Sequence, residues 1–183
     1  MEKKTTHTDQ RSAKGLGGKY LTFRLGAEEY GLEILKVREI IGLMAITPVP
    51  RTPEHIRGVI NLRGKVIPVI DLRRQFGMEG VNDTEQTCII VVEVTASREA
   101  VEMGILVDTV SEVLDIAESE IQDAPSFGEG VDTQFILGLA KAKNSVKILL
   151  NIEKVLSERD AAEAVLAARR MAAAEGASAS SAP

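Results

Sequence analysis

Apolar and polar positions along this chain follow the period of two that marks half-buried strands, and the pattern is written twice. Tyr20–Leu25 alternates, Cys88–Val94 is a β-branched run, and Val101–Val107 and Val110–Leu114 continue the strand character. The polar joints Gly26–Glu29 and Thr95–Glu99 between them have hairpin length. Laying Ile56–Phe76 on Ile136–Leu156, a shift of 80, puts Gly58 on Gly138, Val66 on Val146, Ile70 on Leu150 and Phe76 on Leu156. Upstream, a shift of 73 puts Tyr30-Gly31-Leu32 on Met103-Gly104-Ile105 and Val37–Ile41 on Val110–Leu114. A longer loop in the second copy absorbs the difference between the two shifts. A duplicated unit of roughly 65–75 residues predicts two similar small domains. That favours a two-sided binding module over a single catalytic pocket.

Each copy carries the same punctuation. Arg63-Gly64 and Lys143-Asn144 fall at matching positions, and Gly and Asn tolerate the positive φ of a tight hairpin turn. Asp71 and Asn151 each close the following strand, and their side-chain oxygens can accept the orphan amides of a first helical turn. Pro68 lacks a donor, which places its strand at an edge or a bulge. Short strands with tight turns and one capping turn per copy suggest closed barrels, which leave no exposed edge. The expected fold is all-β: two five-stranded barrels packed together, the first over about 19–83 and the second over about 84–156. Residues 1–18 read as a polar lead-in. Ser157 can cap a helix from about Glu158 to Ala174, and Gly176–Pro183 reads as an Ala/Ser tail.

Composition narrows the function. A net charge of −5 with 3% aromatics and no Trp argues against nucleic-acid binding, which needs a basic stripe and stacking rings. The single Cys88 excludes a disulfide within the chain and fits a reducing compartment. No signal-peptide pattern opens the sequence, and the aliphatic stretches are too short to cross a bilayer, so a cytoplasmic protein without direct membrane insertion is expected.

Catalytic chemistry is not assembled. Gly15-Leu16-Gly17-Gly18-Lys19 lacks the spacing of a phosphate loop and precedes a strand, so it reads as a linker. His7 lies in the lead-in, His55 reads as an exposed residue on a surface turn, and with one Cys no zinc set can form. No nucleophile–base pair is evident, and a non-enzyme without cofactor or metal is expected. Charge is segregated, however. Arg51, Arg57, Arg63, Lys65, Arg73 and Arg74 cluster in the first copy, whereas Glu99–Ala140 contains no Lys or Arg. This is either ordinary solvation or a pair of oppositely charged ends suited to different partners.

The segments Phe23-Arg24-Leu25-Gly26, Glu29-Tyr30-Gly31, Val37-Arg38-Glu39-Ile40, Gly58-Val59-Ile60-Asn61-Leu62-Arg63-Gly64, Val69–Arg73 and Val107–Val110 resemble the CheW family of bacterial chemotaxis coupling proteins, from about Lys19 to Leu156. The resemblance implies two SH3-like five-stranded barrels. It also implies a cytoplasmic scaffold, recruited to membrane-associated arrays, that joins methyl-accepting chemoreceptor tips to the regulatory domain of the histidine kinase CheA. Carried over by motif, Val37, Glu39, Gly58, Asn61 and Arg63 would face the receptor. Val37 and Glu39 are expected on one strand face and Arg63 on a hairpin tip. Gly58, repeated as Gly138, serves either the barrel backbone or the partner. Asn61 and Arg63 become Lys141 and Lys143 in the second copy, which favours function for them. Phe127, in a Gly/Ser loop, would face the kinase as an aromatic anchor or fold back over the barrel mouth. Two further readings are a coupling adaptor of another chemosensory pathway, such as surface motility, and a small ligand-binding barrel.

Overall fold

Strand follows strand in a computed structural model of the chain, which describes residues 14–125 and 133–179. In order, these are β1 (Gly18–Leu25), β2 (Glu28–Glu33), β3 (Val37–Gly42), β4 (Ile56–Leu62), β5 (Lys65–Asp71), β6 (Cys88–Ala96), β7 (Glu99–Val107), β8 (Thr109–Ile116), β9 (Ile121–Gln122), β10 (Ile136–Ala142) and β11 (Ser145–Leu150). Helical turns α1 (Leu72–Gln75) and α2 (Ile152–Val155) follow β5 and β11, and helix α3 (Glu158–Ala179) ends the described chain.

The strands form two sheets. One runs β3-β6-β7-β5-β4 and the other β8-β1-β2-β11-β10-β9. Each closes on itself through the segment that follows one end strand, β3 in the first and β8 in the second. Thr47, downstream of β3, pairs with Val59 of β4, and β9, downstream of β8, pairs with β10. The fold is therefore all-β with two barrels, as expected. We call the first the central barrel and the second the terminal barrel.

The barrels are not the two copies, however. The central barrel is contiguous, from β3 to β7, and the terminal barrel combines β1 and β2 with β8 to β11. The expected division at 83/84 thus cuts between β5 and β6 of a single sheet. Two parallel ladders make the exchange: β2 beside β11, with Tyr30 opposite Ile148, and β5 beside β7, with Ile70 opposite Ile105. Each copy lends its first hairpin to the barrel completed by the other. The exchange also undoes the segregation of charge, because acidic β7 lies in the same sheet as the basic first copy. Glu102 meets Lys65 at 2.9 Å there.

Local chemistry explains the repeated punctuation. Arg63 and Gly64 have φ of 53° and 82°, and Lys143 and Asn144 have 50° and 61°, so both hairpins turn through left-handed residues. Asp71 accepts the amides of Arg73 and Arg74, and Asn151 accepts that of Lys154. Gly58 adopts φ 144° at a bulge in β4, where a Cβ would collide with the Thr47 carbonyl. Pro68 departs from expectation, since β5 is an interior strand. Val59 gives both its backbone groups to Thr47, so its partner Pro68 makes no ladder bond to β4. Pro68 therefore aims its missing donor toward β7, where pairing begins only at Val69.

Three clusters fill the molecule. Ile60, Ile67, Val69, Ile89, Val91 and Leu106 pack inside the central barrel, and Tyr20, Ile116, Ile121, Ala140 and Leu149 inside the terminal one. The largest cluster lies between them, where Leu21, Phe23 and Leu32 meet Ile70, Ile90, Val92 and Ile105. A row of rings, Phe23, Tyr30, Phe76 and Phe135, runs through it with centroids 5.4–5.8 Å apart.

Ser157 caps α3 by accepting the Asp160 amide at 3.2 Å, and the helix continues through Gly176 to Ala179 instead of ending near Ala174. Its buried positions Ala161, Ala164, Ala167 and Ala168 form a small-residue stripe, and its contacts are with β4, β5 and β6. His55 lies against this helix and is only partly exposed, in contrast to the exposed residue expected. Its Nε2 is 3.1 Å from Asp160 Oδ1, and its carbonyl accepts the Asp71 amide.

Candidate partner-docking site

Four of the five residues expected to face a receptor line one seam. In sheet order β3 and β4 are the ends of the central barrel, and closure brings them side by side. Glu39 on β3 and Arg63 on the β4–β5 turn form an ion pair across that seam. Asn61 Oδ1 accepts the Gly64 amide at 2.9 Å and so braces the turn that carries Arg63. Gly58 sits where the seam is stitched to Thr47, which accounts for it through the backbone.

Val37 and Glu39 do not share a face. A bulge lies between them, and their cross-strand partners are Val92 and Val91, consecutive residues that point to opposite sides of the sheet. Val37 therefore joins the apolar cluster between the barrels, while Glu39 lies on the barrel-interior face, at its rim. Ile40 pairs with Ile90, on the same face as Val37, and is exposed. Leu35, in the short helical turn Ile34–Lys36 before β3, is 92% exposed. Sequence reasoning missed both, because an apolar residue in a strand-rich segment reads as core and only the bulge reveals which face it takes.

Glu39 belongs to a rim of charge. Glu93 lies two residues beyond Val91 on the same face, and Glu102 stands directly opposite Glu93. Like charges in opposed positions repel, and each is answered by a cation: Arg38 pairs with Glu93 and Lys65 with Glu102. The terminal barrel repeats the arrangement. Lys143 pairs with Glu112 at 2.6 Å, matching Arg63 with Glu39. Lys147, 4% exposed, reaches Glu29 at 2.7 Å and the Ala142 carbonyl at 3.0 Å. Lys147 holds the Glu29 carboxyl below its ordinary range.

A second polar centre joins the barrels where the chain passes from β7 to β8. Asp108 receives Arg73 through both guanidinium Nε, at 2.7 Å, and Nη2, and accepts the Gly26 amide at 2.7 Å. Arg73 in turn lowers the Asp108 pKa. Beside it, Arg57 bridges buried Asp71 at 3.5 Å and Asp83 at 2.7 Å, tying the loop after α1 to the central barrel. A cleft of about 410 Å³ opens between these groups. Of the charged groups that line it, Arg73 and Asp108 pair with each other, while Asp71 and Asp83 share Arg57. Phe127 lies outside the described residues.

Among the described residues, no group of His, Cys, Asp and Glu could hold a metal, and no helix is long and apolar enough to cross a membrane. Packed barrels whose charged rims face outward define a scaffold that works through its surface. Residues 19–160 match the family described as the CheW-like domain. The chain is 42% identical over 147 residues to the chemotaxis protein CheW of Klebsiella aerogenes, covering 80% of this chain and 86% of that protein. It is 33% identical over 139 residues to Protein FrzA of Myxococcus xanthus, covering 75% and 84%. The crystal structure of the scaffolding protein TtCheW from Thermoanaerobacter tengcongensis superposes with a TM-score of 0.68 at 37% identity, covering 79% of this chain and 95% of that one. The chain belongs to the CheW-like domain family and is a non-enzymatic chemotaxis coupling adaptor.

Proposed function

We propose that this adaptor couples the cytoplasmic tips of methyl-accepting chemoreceptors to the regulatory domain of the histidine kinase CheA, in the cytoplasm at membrane-associated arrays. The seam of the central barrel, with Glu39, Asn61 and Arg63, faces the receptor together with Val37 from the other face of β3, and Phe127 faces the kinase. The observation that carries the reading is the Glu39–Arg63 pair on its Asn61-braced turn. It holds a carboxylate and a guanidinium at a rim, and exposed Ile40 on β3 and Leu35 in the turn before it add apolar surface, which gives a partner helix both polar and apolar purchase. Gly58 supports this surface from within and contributes no contact of its own.

Co-sedimentation with a membrane-borne receptor signalling domain, with and without the kinase regulatory domain, tests the reading. Retention by each partner and more by both together is expected, and retention by neither overturns it. Arg63→Glu or Glu39→Lys is expected to weaken receptor binding by about 1–3 kcal/mol with the barrels still folded. Because the two residues pair with each other, the doubly reversed variant separates two roles. Restored binding would mean that only the pair matters, and continued loss means that the partner reads each charge in place.

The match to Protein FrzA favours a second reading, a coupling adaptor of another chemosensory pathway such as surface motility. Retention by receptors of only one pathway in the same assay decides between the two.

A further inference from the structure

A groove of about 510 Å³ runs between the loop from Val49 to Pro53 and helix α3. Its apolar lining comes from Val49, Pro50 and Pro53 of the loop and from Leu166, which is 49% exposed, and buried Ala167 of the helix. Two arginines line it, Arg51 from the loop and Arg170 from the helix. Most other arginines of the described residues are committed to carboxylates: Arg38, Arg57, Arg63, Arg73, Arg74, Arg159 and Arg169 all form ion pairs. Arg51 and Arg170 do not. Glu163, the carboxylate on the groove, is engaged by Arg159 at 3.2 Å.

Arg51 is also held in an unfavourable backbone. Val49-Pro50-Arg51-Thr52 is a tight turn, fastened by the Thr52 hydroxyl donating to the Val49 carbonyl at 2.8 Å, and Arg51 has φ 63°. With proline before it, this is the position where glycine is normally found. An arginine there costs the turn stability and forms no ion pair or side-chain hydrogen bond among the described residues, which directs attention to what its side chain meets outside the molecule.

We propose that this groove docks an acidic segment of a partner protein that presents an aliphatic or aromatic side chain between carboxylates. The apolar residue would cover Leu166 and the proline walls, and the carboxylates would meet Arg51 and Arg170 in charge-assisted hydrogen bonds. A nucleic acid fits poorly, since two arginines on a chain of net charge −5 make no basic track. The proposal does not depend on which chemosensory partners the seam takes.

The test is fluorescence anisotropy with a labelled peptide, Glu-Asp-Leu-Glu-Glu-Phe-Asp, at low salt against the full chain. Saturable binding is expected, weakened about tenfold by Arg170→Ala and by Arg51→Gly. Arg51→Gly should leave the melting temperature unchanged or raised, since glycine relieves the turn, so its loss of binding cannot be a loss of folding. A peptide with Leu and Phe replaced by Ala should bind more weakly. Absence of binding to the wild-type chain, equal binding by both variants, or equal binding of the Ala peptide would each overturn the proposal.

Discussion

At Gly58 the seam of the central barrel leaves no space for a side chain, because the Thr47 carbonyl occupies the place of a Cβ and the backbone is at φ 144°. Gly58→Ala is expected to cost about 2–3 kcal/mol in urea denaturation, since neither the clash nor the dihedral can relax without opening the seam. Loss of receptor binding in such a variant would follow from the moved turn, not from a lost contact. Asp108 shows the opposite kind of constraint, a charge held by its partners. Arg73 keeps its carboxyl below the ordinary value of 3.8, so its contribution is complete above that pH and disappears as pH falls through the lower folded-state value. Asp108→Asn is therefore expected to be less stable than wild type near neutrality. The two stability curves should converge as pH falls below 3.8 and through the lower folded-state value. Parallel curves would show that the Arg73 contact does not depend on the charge. Tyr20 marks the alkaline side: burial pushes its phenol up to about 12, so the fold loses support as pH rises above 10, where the unfolded chain ionises first.

Among the elements, hairpins and caps were the most legible. Arg63-Gly64 and Lys143-Asn144 could be read as turns because left-handed backbone selects a few residue types, and Asp71 and Asn151 as caps because the first helical turn needs an acceptor. Asn144 is the less permissive of the two second-position residues, at φ 61°. Asn144→Gly should therefore stabilise the terminal barrel by about 0.5 kcal/mol, measured as a shift in the urea midpoint at constant slope. The bulge in β3 was not legible, since Val37, Glu39 and Ile41 alternate perfectly in sequence while the register shifts beneath them. Pro68 misled for a related reason. A missing donor excludes a ladder bond on one side only, and an interior strand can meet that condition where its neighbour starts late. The Arg51–Arg170 groove had no sequence signal, because its walls come from distant segments.

For the whole molecule, the duplication in the sequence correctly gives two barrels, but periodicity holds no information on which copy completes which barrel. The parallel ladders decide that, and they join distant segments, Glu29–Leu32 with Lys147–Leu150 and Val69–Asp71 with Gly104–Leu106. Neither copy can close a barrel from its own strands. Fragments 1–83 and 84–183 are accordingly expected to lack sharp tertiary signals alone and to regain them when mixed, as followed by near-ultraviolet circular dichroism and size-exclusion chromatography. Independent folding of either fragment would show that the exchange is optional. The intact chain should unfold in one transition, because the largest apolar cluster belongs to both barrels at once.

The exchange also sets an order of events on the ribosome. The central barrel is complete once β7 has emerged, while β1 and β2 must wait for β11, the last strand made. Throughout that interval the first hairpin, with Tyr20, has its barrel-interior face formed while Ala140 and Leu149, which close over it, and the β11 ladder are not yet synthesised. The earliest segment of the chain is thus the last to be secured. A pause in translation before residue 145 would leave a folded central barrel carrying an unprotected hairpin, the species of this protein most prone to aggregate and most in need of a chaperone.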